Sequence, residues 1–98
     1  MANYKLSELA DGDIQEIATK TLTTWGFEQA RVYIETLHKT MLMLADNPSL
    51  GKSREELFAE AKCFPAGKHI VFYKRCYDGI EVARVLHQHM DHLTHFDE

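Results

Sequence analysis

The spacing of apolar residues divides the chain into an opening strand, two long helices and three later strands. Residues 3–7 alternate polar and apolar, which predicts a short strand. Ser7 follows where the N-cap of a helix is expected. Apolar residues then recur at helical spacing in two successive stretches separated by Gly26, because glycine readily adopts the conformation that ends a helix. So short a link predicts an antiparallel helix hairpin, which ends at Asp46-Asn47-Pro48 because proline lacks the N–H that a helix needs.

The second half of the chain predicts an antiparallel meander. Residues 48–60 contain proline, glycine and a charged run, and they are predicted to form an irregular connection. Three strands rich in β-branched and aromatic residues follow, at Ala61–Pro65, Lys68–Cys76 and Ile80–His87. Residues 88–98 are predicted to form a short tail helix. Helices segregated to one face of an antiparallel sheet make this an α+β fold, in the order β-α-α-β-β-β.

Arg84 is the informative residue of the last predicted strand. The pair Asp78-Gly79 is typical of a tight hairpin, and with these two residues as the loop Tyr73 would oppose Arg84 and Val71 would oppose Leu86. Arg84 lies among apolar neighbours, where an unpaired charge is not stable. Two interpretations follow: either Arg84 pairs with an acid of the helix layer, or its face opens to a binding groove.

Length, composition and charge narrow the possible classes of protein. Ninety-eight residues predict a single domain over residues 1–98, and 27% charged with 45% hydrophobic residues is ordinary globular composition. Neither a membrane-spanning run nor a signal peptide is visible, so a cytoplasmic location without membrane association is expected. The formal net charge of −4 argues against direct sequence-specific nucleic-acid binding. Two cysteines without metal-site spacing are predicted to be reduced, and no cofactor is predicted.

Two local features leave alternatives open. Residues 62–76 hold four basic residues and no acid, which indicates either a surface for an anionic partner or a solvated sheet face. Histidines crowd the tail at four positions, where imidazoles could hold zinc or nickel. No paired cysteine supports that metal site, so none is assigned. The histidines concerned are His87, His89, His92 and His95.

The order of several short patterns resembles the ParE toxins of the RelE/ParE superfamily over residues 4–92. The most specific segments are Phe64–Tyr73, which reads FPAGKHIVFY, and Arg84–Asp91, which reads RVLHQHMD. Earlier parts of the pattern also match the family. They are Leu6-Ser7, Ala10, Asp13-Ile14, Trp25-Gly26, Ala30, Tyr33, Leu37, Leu44-Ala45, Pro48 and Gly51 to Glu55.

The resemblance implies the toxin of a type II toxin–antitoxin pair, neutralised by a ParD-like antitoxin. ParE toxins are described as poisons of DNA gyrase that stabilise its cleaved-DNA complex, so no catalytic residue of the toxin itself is expected. The alternative is a ribosome-dependent mRNA endoribonuclease of the RelE kind, which needs acid–base and cationic groups around the scissile phosphate. The candidates for such a site are Lys62, Tyr73, Arg75, Arg84, His87 and His89.

Two sets of binding residues follow. The third meander strand and the tail are the surface that the resemblance implies for the target, with contributions from the strand before them: Arg84, His87, Met90, Asp91, Tyr73 and Arg75. An antitoxin has to cover apolar surface, for which the helix hairpin offers Trp25, Tyr33, Leu37, Met41 and Leu44. The second set has helical spacing, so its members could equally be core residues.

Overall fold

The elements follow the predicted order in a computed structural model that describes residues 2–96. In chain order they are β1 (Asn3–Leu6), α1 (Glu8–Trp25), α2 (Phe27–Asp46), β2 (Lys52–Ser53), β3 (Lys62–Ala66), β4 (His69–Cys76), β5 (Gly79–His87) and α3 (His92–Phe96). The predicted α+β fold of strand, helix hairpin, three-stranded meander and short tail helix is confirmed. The connection predicted to be irregular contains a 3-10 turn at Pro48–Leu50 and the unpredicted two-residue β2. Residues 97–98 of the predicted tail lie outside the described residues.

The sheet has five strands in the order β1-β5-β4-β3-β2. Strand β1 pairs parallel with β5, and the remaining neighbours pair antiparallel. The two long helices cover one face, where α2 contributes Leu37, Met41 and Leu44 to the main core. Burial of such side chains stabilises the fold by about 1.5–3 kcal/mol each.

The tail helix α3 lies against the other face of the sheet. A smaller apolar cluster there contains Leu57, Phe72 and Leu86, and Phe96 of α3 packs on it. The ring centroids of Phe72 and Phe96 are 5.2 Å apart, and His92 packs edge-on to Phe72 at 4.8 Å. Both faces of the sheet are therefore covered, by unequal layers.

The helix hairpin keeps apolar side chains exposed at the end where the two helices meet. The Ser7 hydroxyl accepts a hydrogen bond from the Ala10 amide at 3.0 Å, which confirms the predicted N-cap. Gly26, with a φ of 95°, separates the two helices as a single residue. Leu22 and Trp25, in the last turn of α1, stay 49% and 69% exposed. No helix within residues 2–96 is long and apolar enough to cross a membrane.

The predicted register of the last hairpin is wrong. Its loop is Tyr77-Asp78 rather than Asp78-Gly79, since Gly79 pairs with Cys76 as the first residue of β5. Gly79 has a φ of 149°, and a Cβ at this position would collide with the carbonyl of Asn3. The glycine is therefore required where β1 approaches β5, and not as a turn residue of the hairpin.

A bulge in β5 shifts the register again. Tyr73 faces Val82 and Phe72 faces Arg84, so Ala83 is the extra residue, and the predicted pair Tyr73–Arg84 does not form. The start of α1 satisfies the backbone groups around the bulge. The Ser7 hydroxyl donates to the Ala83 carbonyl at 2.8 Å, and a carboxylate oxygen of Asp13 accepts from the Val85 amide at 3.0 Å. Because of the extra residue, Val82 and Val85 both join the main core.

Candidate functional site

A groove of about 790 Å³ lies between the exposed end of the helix hairpin and the strand ends formed by the start of β4 and the end of β5. Its floor includes Ile17, Thr21 and Trp25 of α1. Tyr33 of α2 lies in its wall, and the segment after β5 closes the far side with Met90. The groove is open to solvent, with Trp25 and Met90 69% and 41% exposed.

Members of both predicted binding sets line this one groove. Trp25 and Tyr33 come from the set predicted to contact the antitoxin, and His87 and Met90 come from the set predicted to contact the target. They are far apart in sequence, and the hairpin brings them together because the end of α1 and the start of α2 lie beside the end of β5. A partner that fills the groove would therefore cover residues of both sets.

A row of polar aromatic side chains forms one wall of the groove. The hydroxyl of Tyr33 lies 2.6 Å from Nδ1 of His69, and it also accepts a hydrogen bond from the Lys68 amide at 2.9 Å. His69 and His87 are cross-strand partners with ring centroids 5.3 Å apart. The ring of His89 lies 5.2 Å from that of His87, whose Nδ1 accepts the His89 backbone N–H at 3.2 Å.

Burial shifts the pKa values of the two inner side chains of this row, His69 and Tyr33. Desolvation lowers the pKa of His69 below its ordinary value, and the neighbouring His87 lowers it further. The pKa of Tyr33 is raised by desolvation, with the hydrogen bond from the Lys68 amide acting in the opposite direction. His69 and Tyr33 are thus both held in their neutral forms near neutral pH, and they form a fixed inner wall.

Arg84 is engaged inside the protein. Its guanidinium donates two hydrogen bonds to the Asp13 carboxylate of α1, at 2.8 and 2.9 Å. The two side chains are 15% and 11% exposed. The hydrogen bond to Asp13 raises the pKa of Arg84 further. Of the two interpretations of Arg84, the internal pair with an acid of the helix layer is the one observed.

Tyr73 is fully buried and anchors the connection that follows α2. Its hydroxyl donates to the Pro48 carbonyl and accepts from the Gly51 amide, both at 2.8 Å. A side chain at position 51 would overlap the Tyr73 ring, so this position requires glycine. Tyr73 offers no surface to a target in this conformation.

The remaining members of the predicted target set lie at the surface, away from each other. Arg75 is exposed near the end of β4, opposite Ile80. Asp91 precedes α3 and accepts a hydrogen bond from the Thr94 hydroxyl at 2.8 Å. That hydrogen bond lowers the pKa of Asp91. Asp91 therefore positions the start of the tail helix.

Three members of the predicted antitoxin set belong to the main core. Leu37, Met41 and Leu44 are 1%, 2% and 0% exposed. For these three the observed role is core packing, which the helical spacing left open as the alternative. A partner that docks on the folded surface can reach only Trp25 and Tyr33 of the set.

The candidates for a nuclease site do not come together. Tyr73 and Arg84 are hydrogen-bonded internally at separate places, and His87 and His89 lie at the groove. Lys62 pairs with Tyr73 across the β3–β4 ladder, and Arg75 lies toward the hairpin tip. The six candidates are therefore divided between internal hydrogen bonds, the groove and the β3–β4 ladder.

The tail histidines are likewise divided between the two faces of the sheet. His87 and His89 line the groove, whereas His92 packs on Phe72 on the other side. In the part of the chain that the structure describes, no three His, Cys, Asp or Glu side chains are placed to hold a metal ion. Cys63 and Cys76 are free thiols.

Sequence analysis did not single out His69 as a groove residue, and it considered Lys68 only as one of the four basic residues of 62–76. The one available signal was the position of His69 at the start of a strand that pairs with a strand ending in His87. Because the predicted register was wrong, that cross-strand pair was not visible.

Comparisons with known proteins agree with this fold and length. A sequence model described as the ParE toxin of the type II toxin–antitoxin system parDE matches residues 4–92. Toxin ParE1 of Caulobacter vibrioides is 39% identical over 97% of this chain and 98% of its own length. Toxin ParE1 of Mycobacterium tuberculosis is 36% identical over 92% of this chain and 93% of its own.

A solved structure gives the same fold at low sequence identity. A chain of the chromosomal ParDE TA system from P. aeruginosa superposes with a TM-score of 0.74 at 15% identity. The match covers 89% of this chain and 96% of that one. The resemblance in sequence pattern is thus confirmed over nearly the whole chain, which belongs to the ParE toxin family of type II toxin–antitoxin systems.

Proposed function

We propose that this toxin poisons DNA gyrase in the cytoplasm by stabilising the cleaved gyrase–DNA complex, and that a ParD-like antitoxin silences it. The observation that carries the proposal is the single groove lined by Trp25, Tyr33, His87 and Met90. An antitoxin segment that fills the groove excludes the target from His87 and Met90. Neutralisation then follows from steric competition for one surface.

On this mechanism the toxin breaks no covalent bond. It acts because it binds the cleaved state of gyrase more tightly than the resealed state, and ligands shift an equilibrium only by such a difference in affinity. A preference of about 5.5 kcal/mol would move the cleaved state from about 1% to about 99% of the population. A groove with exposed aromatic and thioether side chains offers the kind of contact area that protein interfaces use.

The target is tested by adding purified toxin to gyrase supercoiling and DNA-cleavage reactions, beside a ribosome-dependent mRNA cleavage assay. We expect linear DNA and intact message. The variants Met90→Ala and His87→Ala should weaken gyrase inhibition, whereas Tyr77→Ala should not, since Tyr77 is fully exposed at the hairpin tip away from the groove. Cut message with normal supercoiling would instead establish the RelE-like activity.

The antitoxin site is tested separately by fluorescence. Trp25 is the only tryptophan of the chain, it is 69% exposed, and it lines the groove. Antitoxin binding should shift its emission to shorter wavelength as water is excluded. A complex that forms without altering the Trp25 emission would place the antitoxin on another surface.

A further inference from the structure

The charged residues are divided unequally between the helices and the sheet. Helices α1 and α2 together carry seven acidic and three basic residues, whereas the five strands carry six basic residues and a single acid, Glu81. The excess of acids on the helices accounts for the formal net charge of −4. Because the two helices cover one face of the sheet, the opposite face, called here the outer face, lies away from their acids.

Two lysines of the strands stand side by side with Glu81 on the outer face. The register aligns Lys5 of β1, Glu81 of β5 and Lys74 of β4, and cross-strand partners point to the same side of a sheet. The chain neighbours of Glu81, Ile80 and Val82, belong to the main core beneath the helices. Since successive side chains of a strand alternate between faces, the aligned residues face outward.

A third lysine continues this alignment across the sheet. Lys52 of β2 pairs with Cys63, and Cys63 pairs with Phe72, which lies two residues before Lys74 on the same face of β4. With a strand spacing of about 4.8 Å, the Cα atoms of successive lysines are about 10–12 Å apart. The tail helix α3 packs on the outer face around Phe72 and leaves Lys5, Lys52 and Lys74 exposed. These three residues are called the lysine row.

The lysine row is not paired with carboxylates of residues 2–96. Neither Glu81 nor another acid of these residues lies within ion-pair distance of the three ammonium groups. Glu56 lies near Lys52, but Arg54 already binds its carboxylate at 2.6 Å. The three ammonium groups are therefore available to an anion from another molecule.

We propose that the lysine row contacts the phosphates of the DNA that gyrase holds in its cleaved complex. This inference rests on the proposed function, in which the toxin stabilises that complex. DNA is then a second partner of the toxin, beside the gyrase protein. Lysine contacts to phosphate carry no sequence information, so this contact is independent of the DNA sequence. The net charge of −4 does not oppose it, because the acids of the helix layer face away from DNA on the outer face.

The lysine row lies apart from the groove. His69, at the start of β4, lines the groove, whereas Lys74 lies five residues further along the same strand, a distance of about 16 Å. One toxin molecule can therefore contact gyrase through the groove and DNA through the lysine row at the same time. Three lysines alone hold DNA weakly, so the DNA contact becomes effective when the protein contact raises its local concentration.

The test compares a lysine-row variant with a control of equal charge change. Lys5→Gln with Lys74→Gln removes two cations from the outer face. Arg31→Gln with Lys39→Gln removes two exposed cations from the helix layer. For each variant and the parent toxin, the toxin concentration that gives half-maximal DNA cleavage by gyrase is measured at about 50 and about 200 mM salt. The salt dependence of gyrase itself cancels in the ratio of variant to parent.

The expected effect follows from the release of counterions. Each phosphate contact contributes about 0.9 to the slope of log affinity against log salt concentration. The loss of two contacts should therefore weaken the lysine-row variant relative to the parent by about tenfold more at the lower salt than at the higher. The control variant should match the parent at both salt concentrations.

Glu81→Gln tests the same contact with a change of opposite sign. It removes the acid between Lys5 and Lys74. The half-maximal toxin concentration should fall about threefold at low salt, since a negative charge near the phosphates is lost. A variant that acted only by weakening the fold would not become more potent.

Each outcome decides the inference. A lysine-row variant that matches the control variant overturns it. Equal weakening of toxin binding to gyrase without DNA also overturns it, because the lysines then contact an acidic protein surface. If the double variant unfolds more easily in urea than the parent, Lys52→Gln beside Lys39→Gln repeats the comparison, with an expected difference of about three- to fourfold between the two salt concentrations. A parent toxin that leaves DNA intact would overturn the proposed function itself, which is a separate result.

Discussion

Replacing Arg84 by Met separates an internal ion pair from a target contact. The methionine keeps the length of the apolar stem and removes the guanidinium, which donates the 2.8 and 2.9 Å hydrogen bonds to Asp13. Asp13 would then keep only the Val85 amide as donor, at a site where its side chain is 11% exposed. Loss of one partner leaves the carboxylate charged and poorly solvated, which is the costly way to break such a pair.

The expected loss of stability is large for so small a domain. Breaking a fully buried pair costs about 3–5 kcal/mol, and the partial exposure of Arg84 and Asp13 reduces this to about 2–4 kcal/mol. For a chain of this length the melting temperature should fall by about 10–25 °C. Urea unfolding followed by circular dichroism measures the difference directly.

Two further variants complete the measurement. Arg31→Met removes an exposed arginine whose bonds to Glu28 and Glu35 lie on the helix surface, and it should cost about 0.5 kcal/mol or less. Adding Asp13→Asn to Arg84→Met removes both charges and keeps an acceptor for the Val85 amide, so it should recover much of the loss. If Arg84→Met unfolds like the parent protein but loses the gyrase inhibition that we propose, the reasoning is refuted and Arg84 is a target contact.

Three other changes test the scaffold around the groove. Ser7→Ala removes both the helix cap and the hydrogen bond to the Ala83 carbonyl, and it should cost about 1–2 kcal/mol in urea unfolding; Ser7→Asp should restore the cap alone. Tyr73→Phe leaves the buried Gly51 amide and the part-buried Pro48 carbonyl without a partner and should cost about 1–3 kcal/mol. Little change is expected for Tyr4→Phe, whose hydroxyl is exposed. His69 has a pKa below its ordinary value of 6.5, so the unfolded chain binds the proton more readily and the stability contributed by neutral His69 is lost as pH falls below about 6.5; His69→Gln should flatten the pH dependence of unfolding.

Much of the fold was predictable because the signals are local. The Ser7 cap, the break at Gly26 and the stop at Pro48 each depend on conformational preferences of one or two residues. The meander was predictable for the same reason. Its register was not, because the need for glycine at position 79 comes from the approach of β1, about 75 residues away in sequence.

The candidate site was only partly predictable. Helical spacing identified Trp25 and Tyr33, the resemblance to ParE toxins implied His87 and Met90, and the structure places all four in one groove. The same helical spacing did not distinguish Trp25, exposed at the end of α1, from Leu37 in the core. The exposure of a helix residue depends on whether it faces the sheet, and a helical repeat alone does not contain that information.

The amino-acid sequence by itself determined the kind and order of the elements, since helical and strand periodicities arise from residues close together in the chain. Tertiary structure decided the strand register and the contacts between residues that are far apart in the sequence. The extra residue at Ala83 changes the register of β5, and α1 brings Asp13 to Arg84. The Asp13–Arg84 contact joins residues 71 positions apart, and packing selects among the registers and partners that local preferences leave open.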